Sequence, residues 1–98
     1  MDDILNEFKE YLVKRGYKEF TLSGKPSTVY DYAGRIKTIC EREGINTAKV
    51  LINRIDELEQ KYGETGSEAA FGRKSHNSCI NAIRRFNEFV KSNKLGEE

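Results

Sequence analysis

Between Ala69 and Asn87 the chain has no Asp or Glu, while Arg73, Lys74, Arg84 and Arg85 give that stretch a charge of +4. A helix turns by about 100° per residue. With Cys79, Ile83, Phe86 and Val90 turned inward, the outer face collects Arg73, Lys74, Asn77, Ser78, Asn81, Arg84 and Arg85. These side chains suit nucleic acid: a guanidinium forks onto phosphate or guanine, and an Asn amide pairs with adenine. A helix N-terminus adds unpaired N–H groups for an anionic oxygen. Glu88 interrupts the face one turn later, which confines the contact region to the first three turns. Charged outer faces are also ordinary solvated surface, and composition alone does not separate the two readings.

A second, weaker surface precedes it in the chain. Lys25, Tyr30, Arg35, Lys37 and Arg42 fall on the outward positions of a helix and its lead-in, with Asp31 and Glu41 offsetting part of the charge. Gly34 sits on the polar side of that helix, where glycine costs about 1 kcal/mol relative to alanine. Close approach of a neighbouring helix or of a nucleic-acid backbone would account for it.

Residues for catalysis are sparse. His76 is the single histidine, and no carboxylate lies near it in sequence to orient a general base. A core-edge or capping role is expected for it instead. His76 and Cys79 are three apart and could share a metal with Cys40, but no fourth ligand is evident. Ser23-Gly24-Lys25 lacks the spacing of a phosphate-binding loop. Asp56, Glu57 and Glu59 form no paired-carboxylate motif and read as a solvated or partner-binding face. The expectation is a non-enzyme without cofactor, metal or small-molecule substrate.

Four main helices would position these groups, and no segment alternates with the period of a strand. The first opens at Asp2-Asp3, buries Ile4, Leu5, Phe8, Tyr11 and Leu12, and closes through Lys14, Arg15 and Gly16. From Gly16 to Pro26 the pattern is that of an extended loop pinned by Phe20 and Leu22. The second helix starts near Ser27 or Thr28, buries Val29, Tyr32, Ala33, Ile36, Ile39 and Cys40, and ends at Gly44. Thr47 caps a third, carrying Leu51, Ile55, Leu58 and Tyr62 until Gly63 and Gly66 stop it. One short helical turn is expected around Ala69–Phe71. The fourth helix runs from about Lys74 to Lys94, and residues 95–98 are expected to fray. The whole is an all-α, compact orthogonal bundle, one domain over residues 1–94.

The totals narrow the class further. Ninety-eight residues make one small core, burying roughly two-thirds of the unfolded surface. The net charge of +1 hides an asymmetry. From Asn53 to Glu68, Arg54 and Lys61 face Asp56, Glu57, Glu59, Glu64 and Glu68, giving −3. A dipolar molecule follows, with a basic fourth helix and an acidic third. No apolar run approaches the roughly 18 residues of a membrane span. The acidic start is unlike a secretory signal. Two cysteines at apolar positions read as buried thiols in a cytoplasmic protein, with a lone extracellular disulfide as the lesser alternative.

Thr28-Val29-Tyr30-Asp31-Tyr32-Ala33-Gly34-Arg35-Ile36 resembles the Thr-apolar-x-x-Tyr-x-x-x-apolar pattern in the N-terminal, SAM-like core-binding domain of tyrosine recombinases and phage integrases. Ile4–Leu12 is similar to that domain's first helix. Ser78–Phe89 resembles its last, where an apolar-Ala-apolar-basic-x-Phe-x-x-Phe run occurs. The resemblance spans nearly the whole chain in order. It implies an orthogonal bundle that clamps one side of double-stranded DNA through its second and fourth helices. Carried over residue by residue, it points to Lys25, Tyr30, Arg35, Arg73, Lys74, Asn77, Asn81, Arg84 and Arg85. The loop from Gly16 to Pro26 is longer than the family's short turn. The family's catalytic tyrosine belongs to a separate domain, so none of the five tyrosines here is given that role.

The first expectation is therefore a non-catalytic domain that binds duplex DNA, either part of an integrase or encoded alone. The alternative is a helical protein-interaction module from a mobile element that binds or inhibits another protein, a recombinase catalytic domain among the possibilities. A vestigial fragment that folds without function is the third.

Overall fold

Acidic side chains at the first turn and a basic one at the last favour a helix over α1 (Asp2–Lys14). In the computed structural model of the chain, which describes residues 1–96, α1 buries Ile4, Leu5, Phe8 and Leu12. Gly16 closes it with a positive φ, and Tyr17 N–H returns to the Leu12 carbonyl at 3.0 Å. α2 (Thr28–Glu43) ends in the same way. Gly44 is left-handed, Ile45 N–H bonds the Cys40 carbonyl at 2.8 Å, and the Ile45 side chain is buried.

Only one of the two apolar side chains expected to pin the α1–α2 connection does so. Phe20, half exposed, packs its ring 5.4 Å from that of Tyr30, whereas Leu22 projects fully into solvent. Backbone pairing supplies the rest, as a small hairpin bridged at Phe20 and Pro26. Gly24 N–H bonds the Thr21 carbonyl at 2.9 Å, and Thr21 N–H bonds the Lys25 carbonyl at 2.8 Å. Gly24 has φ +83°. A turn followed by a left-handed glycine is the usual three-residue hairpin loop.

The single third helix expected from the Leu51, Ile55, Leu58 and Tyr62 spacing is two helices. α3 (Ala48–Asn53), with Thr47 capping the Val50 N–H, breaks at Arg54 before α4 (Ile55–Tyr62). Arg54 takes φ −97° and ψ 5°, between the helical and extended regions. The apolar spacing survives because one residue of turn leaves Leu51, Ile55 and Leu58 all facing the core. α5 (Ala69–Gly72) is the expected single turn.

α6 (Lys74–Ser92) packs against α1, α2, α4 and α5 and forms the centre of the bundle. Its Phe86 and Phe89 meet Phe8 with ring centroids 5.0 and 5.7 Å apart. Each fully buried ring of this kind contributes about 1.5–3 kcal/mol. The first turn of α6 is left-handed: Ser75, His76 and Asn77 have φ of 54°, 58° and 66°, and the right-handed helix begins only after them. Leu95, expected to fray, bonds back to the Val90 carbonyl at 2.9 Å and packs against the core. Residues 97–98 of the expected tail lie outside the described residues. The fold class is all-α, with six helices and one core among the described residues.

Candidate nucleic-acid interface

The left-handed turn redistributes the predicted donors. Rotation reverses through Ser75–Asn77, so the 100° wheel cannot be extended back to Arg73, Lys74 and Asn77. These three are exposed on a turn of their own at the foot of α6, while Asn81 and Arg84 occupy the regular outer face. His76 is exposed on the same turn, neither at the core edge nor acting as a cap. Two contacts seat the turn. A Cβ on Gly72 would lie 2.0 Å from the Tyr62 carbonyl oxygen, so only glycine allows this approach to the end of α4. Ser78 Oγ bridges the Ser75 carbonyl at 2.8 Å and Asp31 Oδ2 at 3.1 Å, tying the turn to α2.

The basic candidates divide by their partners. Among the described residues Arg73, Lys74, Arg84 and Lys25 make no ion pair, although Lys74 Nζ lies 5.2 Å from the Phe71 ring centre. Arg85 is engaged. Its Nη1 donates to Tyr17 Oη at 3.3 Å and its Nη2 pairs with Glu88 at 2.9 Å. The Tyr17 hydrogen bond raises its pKa further, so it is a charged strut between the α1–α2 connection and α6. Arg35 is half-buried and 3.3 Å from Asp31. Tyr30 lies apart from all of these, in the groove between α1 and α2, with Phe20 at 5.4 Å and Lys9 Nζ 5.2 Å from its ring. The second helix therefore does not present Tyr30 and Arg35 on one face with α6. Gly34 has no protein atom within 4 Å of where a Cβ would stand, so packing of a neighbouring helix does not explain it.

The acids on which the expected charge dipole rests are paired at the surface. α4 packs directly on α6, and its acids are satisfied there. Asn87 Nδ2 donates to Asp56 and Glu59, each at 3.1 Å, and Lys91 pairs with Asp56 at 3.1 Å. Glu57 is held by Arg54. These hydrogen bonds, from Lys91 for Asp56 and from Arg54 for Glu57, hold both carboxyls below their ordinary range. Both carboxylates stay largely exposed, Asp56 at 76% and Glu57 at 58%.

The strongest electrostatic feature lies outside the residues expected to form a site. The Glu43 side chain, 8% exposed, receives Arg54 at 2.8 Å, Lys61 at 2.9 Å and the Tyr62 hydroxyl at 2.8 Å. Burial alone would raise its pKa, but the hydrogen bonds from Lys61, Tyr62 and Arg54 outweigh it and hold the carboxyl at about 2. Arg42, on the outer surface as expected, lies 3.9 Å over the Phe71 ring and pairs with Glu68 at 3.0 Å. A carboxylate in the last turn of a helix opposes the helix dipole. That position was the one available signal that Glu43 needs partners.

Burial pushes the Cys40 thiol up to about 11 and raises Cys79 as well, which leaves both sulfurs protonated near neutral pH. No group of three His, Cys, Asp or Glu side chains able to hold a metal occurs among the described residues. Nor is any described helix long and apolar enough to cross a membrane. What the surface offers chemically is a set of unpaired hydrogen-bond donors. No protein-family model, curated protein or solved structure matches the chain.

Proposed function

We propose that this chain is a non-catalytic DNA-binding domain, of the kind its resemblance to the core-binding domain of tyrosine recombinases implies. One observation carries the reading. Arg73, Lys74 and Arg84 are exposed without an ion-pair partner among the described residues, along an acid-free stretch that also offers Asn77 and Asn81. Cations elsewhere that hold the fold together, such as Arg54 and Lys61, are visibly engaged. Exposed, unpaired guanidinium and ammonium groups have their counter-charge still to find, and phosphate oxygens fit them. Arg84 and Asn81 would face the duplex from α6, with Arg73, Lys74 and Asn77 holding phosphates from the left-handed turn. Arg85 and Arg35 act as positioning residues.

Titration of a labelled duplex at low and moderate salt tests this. Wild type should bind at low salt and weaken as salt rises, and an Arg73→Glu/Arg84→Glu variant should lose binding while remaining folded. Equal binding by that variant and wild type would contradict the proposal.

The second reading, a protein-interaction module, keeps an acidic face in the exposed carboxylates of Asp56 and Glu57, each in a surface ion pair. A groove of about 470 Å³ between α1 and α2, lined in part by Val13, Val29 and Tyr30, is the observation that favours it.

A further inference from the structure

Four of the five large hydrophobic side chains exposed among the described residues gather in one region: Val13, Phe20, Leu22 and Tyr30. They belong to the hairpin between α1 and α2 and to the helices beside it. Leu22 stands at its tip, in the turn Thr21–Gly24, as exposed as in an unfolded chain. Its side chain contributes nothing to the core, and the hairpin does not depend on it. The Thr21–Lys25 and Thr21–Gly24 backbone bonds, Lys25 N–H on Thr21 Oγ1 at 3.2 Å, and the Thr21–Ser23 hydroxyl pair at 3.0 Å already fix the turn. Phe20 stacks on Tyr30 behind it, so the tip is backed by the body of the domain.

The surroundings of the tip are basic. Lys14, Arg15, Lys18 and Lys25 lie on the hairpin and its root with Glu19 as the single acid, and none of the four cations forms an ion pair among the described residues. The root is also continuous with the candidate interface. Tyr17 accepts from Arg85 of α6 at 3.3 Å, and its ring lies 5.9 Å from that of Tyr32 on α2.

We propose that the hairpin is a DNA wedge, with Leu22 entering the minor groove between base steps and Lys18 and Lys25 on the flanking phosphates. This rests on the DNA-binding reading above and adds a second point of contact to it. A stiff ribbon with one apolar side chain at its apex and cations at its sides has the chemistry such wedges require. The apolar group replaces lost base stacking, and the bend it induces brings more phosphate to the basic surface.

The test uses an alternating A/T duplex in which 2-aminopurine replaces adenine, so that unstacking is visible whatever the register. Wild type should raise its fluorescence on binding. Leu22→Ala should abolish that rise, weaken binding about tenfold, as expected for losing part of a buried leucine, and leave the salt dependence unchanged. Lys18→Ala/Lys25→Ala should lower the salt slope by roughly two and keep the fluorescence rise at saturation. An unchanged melting temperature for Leu22→Ala shows that the effect is not one of folding. If wild type binds the duplex and Leu22→Ala matches it in affinity and fluorescence, the wedge is overturned and the α6 interface stands. If wild type does not bind the duplex, both proposals fall. If Leu22→Ala leaves duplex binding intact but releases the protein from anionic lipid vesicles, the wedge is likewise overturned.

Discussion

Glu43, at the C-terminal end of α2, and Arg84, on the outer face of α6, are both single charges on helices, yet their surroundings are opposite. Glu43 is nearly buried and surrounded by Arg54, Lys61 and Tyr62, which join α2 to the α3–α4 bend. Arg84 is exposed and has no ion-pair partner among the described residues. The same division holds for whole regions. Around Glu43 the charges of Arg42, Arg54 and Lys61 are committed to the fold, whereas Arg73 and Lys74 on the turn and Arg84 on the outer face of α6 make no ion pair among the described residues. Charge count does not distinguish these roles, but pairing and burial do. Altering the first region should therefore change stability, and altering the second should change binding.

The largest effect is expected at Glu43. Glu43→Ala leaves Arg54 and Lys61 facing each other without their shared carboxylate and should lower stability by roughly 3 kcal/mol. For a domain of this size, that is a fall in melting temperature of about 10–20 °C. A loss below about 1 kcal/mol would remove Glu43 from the centre of the comparison. Its pH signature has a defined sign. The carboxyl is held at about 2, below its ordinary 4.5, so its contribution is complete above about 4.5 and is lost as pH falls from there toward 2. Glu43→Gln should lack that part of the acid limb in denaturation measured from pH 6 downward.

Gly72→Ala comes next. Its Cβ would collide with the Tyr62 carbonyl, and moving the backbone apart should cost about 1–3 kcal/mol in chemical denaturation. A neutral substitution would mean that the turn is not seated on α4 as described.

Smaller effects test the second region. His76 is left-handed without being glycine, a conformation costing roughly 1–2 kcal/mol for an L-residue. His76→Gly should thus stabilise the protein by about 1 kcal/mol, whereas in an ordinary helix it would destabilise by a similar amount. The sign alone decides between a left-handed and a right-handed turn. Gly34→Ala should also stabilise by about 1 kcal/mol, since its Cβ enters open space. Weaker DNA binding by this stabilised variant would show that the glycine serves the ligand and not the fold.

Much of the bundle was legible in the sequence because one-sided apolar periodicity, acidic helix starts and terminal glycines all report on local geometry. Gly16, Gly44 and the Thr47 cap stand where those rules place them. The break at Arg54 was hidden because a single turn residue keeps the apolar spacing nearly intact. The left-handed turn was hidden for a related reason: Lys74–Ser78 contains no glycine or proline to mark a change of hand. In the hairpin, Ser23-Gly24 marked a loop, but Leu22, expected with Phe20 to pin it, lies wholly on the surface. For the candidate interface, residue types were readable and commitments only in part. The Asp31–Arg35 and Arg85–Glu88 pairs follow from helical spacing, whereas the Tyr17 contact to Arg85 depends on residues 68 apart in sequence meeting in three dimensions.

The central claim is that the uncommitted cations of the α6 region bind duplex phosphates. The most direct test is the slope of log affinity against log salt for wild type and Arg73→Ala/Arg84→Ala, both measured on the same duplex. The double substitution should leave stability within about 0.5 kcal/mol and reduce the magnitude of the slope by roughly two, one for each phosphate contact removed. An identical slope for the two proteins, or no duplex binding by wild type at low salt, would contradict the claim.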